Sequence, residues 1–101
     1  MRKEPKTLEE AYDLIINQAR TIFLQKQNDY GSDNISALGI QGVFVRMWDK
    51  INRLKRLVWE SRENKVKDES IDDTFLDILN YAIIALLLKN DWWKLAERER
   101  K

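Results

Sequence analysis

Apolar positions along this chain recur every three to four residues, the spacing that lines one face of a helix, and no stretch alternates as a strand would. Leu8, Ala11, Tyr12, Ile15, Ile16, Ala19, Ile22 and Phe23 form the first stripe. It opens on Thr7-Leu8-Glu9-Glu10, a capping-box pattern, and predicts a helix over residues 7–27. The run Asn28-Asp29-Tyr30-Gly31-Ser32-Asp33 ends it with turn-forming residues. Residues 34–38 have room for one helical turn before Gly39 and Gly42 mark a second break. A second helix is predicted over residues 43–62, with Phe44, Met47, Ile51, Leu54 and Val58 as its stripe. Residues 63–69 are charged and lack periodicity, which predicts a loop.

The third helix, from Ser70 to Lys89, organises the rest. Ile71, Phe75, Ile78, Leu79, Ala82, Ile83 and Leu86 form a wide apolar stripe. Glu69, Asp73, Asp77 and Asn80 gather on another side, continued by Ile84 and Leu87, so the second half is apolar nearly all round and expected to be buried. Asn90-Asp91 interrupts it, and Asp91 is expected to cap a short fourth helix holding Trp92, Trp93 and Leu95. The expectation is a single all-α domain over residues 1–101, a bundle of three long helices plus a short C-terminal helix, with 1–6 and 97–101 frayed.

Composition narrows the chemistry. In 101 residues the core is small. A net charge of +1 gives no strong pull toward nucleic acid or membrane. The chain has no cysteine and no histidine, which excludes disulfides, thiolate nucleophiles and the commonest zinc ligands. The apolar run 81–88 is too short to span a bilayer, and the first residues lack the apolar core of a signal peptide, so the expected compartment is the cytoplasm. Four tryptophans are many for this length. Trp92 and Trp93 cannot both face inward on one helix, and a homodimer or higher oligomer is expected to cover aromatic surface.

The carboxylates of helix three carry the most chemistry. Asp73 and Asp77 sit one turn apart, with Glu69 a turn before. Beside a buried segment such groups are costly without a cation, from a side chain or a metal. Oxygens at this spacing can share magnesium, which prefers oxygen ligands and keeps waters that a phosphate can replace. The plain alternative is an acid cluster serving the helix dipole or pairing with Arg46, Lys50 or Arg53. That suits Glu69 and Asp72 best, because Asp77 lies beyond the dipole's reach. Asp49 and Arg53, four apart, make an ordinary surface pair by spacing alone. Lys26, Asn28, Asp29, Tyr30 and Gly31 allow two readings: a turn that holds a base and a phosphate, or a helix stop.

Three motifs in order are K-Q-N-D-Y-G-S (Lys26 to Ser32), G-V-F-V-R-M-W-D-K-I-N-R-L (Gly42 to Leu54) and E-S-I-D-D-T-F-L-D-I-L-N-Y-A (Glu69 to Ala82). Together, over residues 22–88, they resemble the nucleotide modification associated domain family, a small and largely phage-encoded group. More distantly the chain is similar to the all-α nucleoside triphosphate pyrophosphohydrolases of the MazG and dimeric dUTPase type, in which acids on two adjacent helices bind magnesium. The resemblance implies a magnesium-dependent (deoxy)nucleotide pyrophosphohydrolase-like protein, in the host cytoplasm if phage-encoded. Asp77 then matches the last acid of the E-x-x-D helix, although Thr74 stands where the enzymes carry Glu, and Asp49 stands where they carry E-x-x-E. On this reading Asp49, Asp73 and Asp77, with Glu69, would hold the metal. Lys26, Lys50 and Arg53 would stabilise phosphate charge, and Asp29, Tyr30, Asn80 and Tyr81 would contact base or sugar. The acid set is smaller than a full catalytic one. That keeps open a non-catalytic module binding a nucleotide or a partner protein in the same groove, and a purely structural dimer.

Overall fold

The computed structural model describes residues 4–27, 32–59 and 65–99 as four helices, with no strand among them: α1 (Leu8–Lys26), α2 (Ser32–Trp59), α3 (Lys65–Lys89) and α4 (Lys94–Glu99). Thr7 is the N-cap of α1, extended at φ −128° and ψ 160°, and its side chain accepts the Glu10 N–H at 3.0 Å. The Glu10 carboxylate reaches one residue further back than the usual box and accepts the Lys6 N–H at 2.7 Å.

Two helices begin earlier than the pattern suggested. α2 runs through the expected break at Gly42 and kinks only at Gly39, whose φ of 63° and ψ of −153° suit glycine alone. Gly42 is helical, and a Cβ there would collide with the Leu38 side chain. α3 starts at Lys65, so most of the expected loop at 63–69 is helix. Lys and Glu are good helix formers, and a polar turn without apolar partners leaves no periodic trace.

Among the described residues α1 and α2 each pack on α3, α4 packs on α2, and the backbones of α1 and α2 stay apart, meeting only through side chains over α3. The core joins Ile35 and Val43 of α2, Ile84 of α3, Trp93, and Ala96 of α4, with Phe23, Met47 and Tyr81 against it. This makes α3 the central helix, and the apolar residues of its second half are covered as expected, Leu86 excepted. Thr74, Asn80 and Ile84 are buried, whereas Phe75 and Leu86 from the wide apolar stripe are 54% and 60% exposed. The stripe expected on α2 splits: Leu54 is buried and Met47 packs against the core, as does Val43 from outside the stripe, while Phe44, Ile51 and Val58 face out. Each polar residue turned inward finds a partner. The Thr74 hydroxyl, for one, donates to the Ser70 carbonyl at 2.6 Å.

α3 ends in a Schellman arrangement. The Asp91 N–H bonds the Leu88 carbonyl at 3.1 Å, and the Trp92 N–H bonds the Leu87 carbonyl at 2.8 Å. The residue in the left-handed conformation is Asp91, at φ 60°, where glycine is usual. Trp92 and Trp93 therefore precede α4 instead of lying within it, and Asp91 closes α3 more than it opens α4. Its side chain holds Lys94 at 3.0 Å, an exposed pair worth little. Asp91→Gly is expected to stabilise the protein by about 0.5 kcal/mol, raising the melting temperature by roughly 2–4 °C. Thermal melts followed by circular dichroism check this, and a lower melting temperature would show that the Lys94 pair outweighs the backbone strain.

Candidate functional site

Three helices each bring one charged group to a single point. Asp77, in the middle of α3, is held off the dipole-rich ends and mostly covered, with 15% of its side chain exposed. Lys26, in the last turn of α1, sets its Nζ 3.2 Å from Asp77 Oδ1, as hydrogen-bond donor. Lys50, from the kinked helix α2, sets its Nζ 3.0 Å from Asp77 Oδ2. Both lysines keep access to solvent, at 46% and 32% of their side chains. Each carboxylate oxygen thus meets one ammonium, and the cluster carries one net positive charge. An ammonium has three donors, more than one carboxylate oxygen takes up, so the pair can also receive an anion. The carboxylate fixes the two cations at a spacing that free surface lysines would lose to rotamer entropy.

The other expected residues are spread around this node. Asp73 is exposed one turn before Asp77 on α3, and Asp49 and Arg53 are exposed on α2. Tyr81, one turn after Asp77, packs against the core. Asn80 lies under α1, away from the surface where a ligand contact was expected: it is fully buried, and its Nδ2 donates to the Ala19 carbonyl of α1 at 3.1 Å. Asp29 and Tyr30 fall outside the described residues, and so does the side chain of Glu69, whose backbone is in α3. The sequence named Lys50 as a partner for the acids and assigned Lys26 to the turn and, with Lys50 and Arg53, to phosphate charge, but it missed the pairing of Lys26 with Asp77 across 51 positions. It also missed the Asn80 tie, for which the only signal was an amide in the middle of a line of buried positions.

Magnesium is usually held by one or two carboxylates, with waters and substrate phosphates completing its shell. Both oxygens of Asp77 face lysines, and Thr74, at the position of the enzymes' Glu, is buried with its hydroxyl on the Ser70 carbonyl. Among the described residues no three acidic groups come together in a set that could hold a metal ion.

A search of known families matches residues 26–88 to the one named Nucleotide modification associated domain 1. The chain belongs to that family. No curated protein and no solved structure matches significantly. The Nucleotide modification associated domain begins at Lys26 and ends at Leu88, so all three members of the charged node fall inside it. Most of α1, the tryptophan pair and α4 lie outside the matched segment. The domain alone would consist of α2 and α3 with the last residue of α1, and it needs the rest of that helix to aim Lys26 at Asp77.

Proposed function

We propose that this chain binds a nucleotide by its phosphates at the Lys26–Asp77–Lys50 node, as a binding module without hydrolytic activity. The observation that supports this is the meeting of two half-exposed ammonium groups on one carboxylate inside the family's segment. Phosphate oxygens are the natural ligands of such a pair, because each lysine offers charge and several donors. The pyrophosphohydrolase expectation rests on the likeness to the MazG type, and the described acids fall short of its metal set.

Calorimetric titration with deoxy- and ribonucleoside triphosphates, with and without magnesium, is the direct test, run beside an assay for released pyrophosphate and phosphate. Binding without release is expected, and Lys26→Gln with Lys50→Gln should weaken it at least tenfold. Magnesium-dependent release that disappears in Asp77→Asn would establish the hydrolytic reading instead. Thermal melts add an independent arm. Asp77→Asn leaves two cations facing each other, at a cost of about 1 kcal/mol given their access to water, or roughly 4–8 °C. The loss is expected in metal-free buffer, with magnesium shifting neither protein. A parent protein stabilised by magnesium would restore a metal site.

A further inference from the structure

α2 carries an apolar seam that its own chain leaves uncovered. Ile40, Phe44, Trp48, Ile51, Val58 and Trp59 are between 44% and 75% exposed. At 3.6 residues per turn they fall within roughly 100° of the helix circumference. Phe44, Ile51 and Val58 repeat at heptad spacing, the signature of a helix that packs lengthwise on another. The Phe44 and Trp48 rings lean together at 6.2 Å and 33°, and with Val45 they line an apolar cleft of about 250 Å³.

The exposed area of the whole chain is large, and the seam shares it with Leu8, Tyr12, Phe75 and Leu86 on the other helices. The chain exposes 8104 Å², against about 6,000 Å² for a folded monomer of its mass. Its radius of gyration is 15.4 Å, against about 13 Å for a compact domain of this length. The seam alone exposes on the order of 700 Å², counting roughly 150–250 Å² for each large side chain. A standard interface buries about 800 Å² per partner.

We propose that a second copy of this chain covers the seam, α2 against α2 in antiparallel orientation, with Ile51 beside the twofold axis. Ile51 lies midway between Phe44 and Val58, so a twofold axis there makes the seam complementary to itself: Phe44 of each protomer meets Val58 of the other. Orientation follows from Lys55, which sits in the seam with its Nζ 5.5 Å from the Trp59 ring centroid. A parallel pair would press Lys55 against Lys55 while expelling water. The antiparallel pair sets it opposite Trp48, whose ring face attracts a cation. The seam points about 100° away from Lys50 around α2, so the dimer leaves the charged node open and is independent of the nucleotide reading.

Sedimentation of the full chain at ten micromolar is expected to give a dimer, and Ile51→Asp to give a monomer or an unfolded chain. A monomeric parent overturns the proposal. Cysteine pairing tests the geometry even if Ile51→Asp fails to fold, since the chain has no thiol of its own. Under mild oxidation Ile51→Cys is expected to cross-link with itself, and Phe44→Cys to cross-link with Val58→Cys when the two variants are mixed. Self-linking of Phe44→Cys without the mixed product overturns the antiparallel orientation. A dimer in which neither link forms places the interface elsewhere and overturns the seam.

Discussion

Trp93→Ala is expected to cost about 3–5 kcal/mol, while Trp92→Ala, one residue away, changes stability by about 0.5 kcal/mol or less. Trp93 is 3% exposed, and its ring stands edge-on to Phe23 at 6.4 Å and 85°. It joins α1, through Phe23, to the cluster of Ile35, Val43, Ile84 and Ala96. Its removal opens a cavity where all four helices meet, in a chain whose total stability is on the order of 5–10 kcal/mol. Trp92 is 56% exposed and loses little on truncation. Urea titrations of the two variants, read by far-ultraviolet circular dichroism, measure the difference directly. Similar losses in both would mean that the chain around Asp91 turns differently and that the pair shares the burial.

Asn80→Ala is expected to cost about 2–3 kcal/mol, and Asn80→Leu clearly less. The amide is fully buried between α3 and α1, and it spends Nδ2 on the Ala19 carbonyl. Its Oδ1 has no hydrogen-bond partner among the described residues. Alanine loses the bond, worth about 1 kcal/mol, and leaves a cavity that adds a similar amount. Leucine also loses the bond, but it refills the space and removes an unpartnered buried acceptor. Chemical denaturation of both variants separates the terms. A leucine variant as unstable as the alanine one would show that the amide bond, not the packing, holds α1 in place.

How far the sequence disclosed this arrangement depended on the range of each interaction. The start of α1 was legible because Thr7 and Glu10 settle it among themselves. The helical class was legible for the same reason, turn by turn. Asp77 stood out as an acid beyond the dipole's reach beside apolar residues, and it is indeed the acid at the centre of the node. Its partners were not equally legible. Lys50 was within the guess, but Lys26 comes from the far end of another helix, and no local pattern links the two. The inner faces of α2 and α3 were read only in part: Met47, Leu54 and Ile84 turn inward as expected, but Phe44, Ile51, Phe75 and Leu86 do not, because both helices carry apolar residues on more than one side. Periodicity finds a face that avoids water, and it does not say whether the same chain or another provides the cover.

The way α1 is attached has a dynamic consequence. Three ties join α1 to the rest from its second half: the Ala19 carbonyl to Asn80, the Phe23 ring to Trp93, and the Lys26 ammonium to Asp77. In the first half Leu8, Tyr12 and Ile15 face solvent, at 86%, 65% and 48% exposure. α1 is therefore expected to detach at less free energy than global unfolding and to exchange its amide protons while α2 and α3 stay protected, which hydrogen exchange would measure. Lys26 travels with it. An anion bound at the node holds two ammonium groups only while α1 is docked, so binding makes detachment more costly, by about 2.7 kcal/mol at a hundredfold excess over Kd if the detached form does not bind. Occupancy of the node would then slow proton exchange along the whole of α1, up to four turns away from the bound charge.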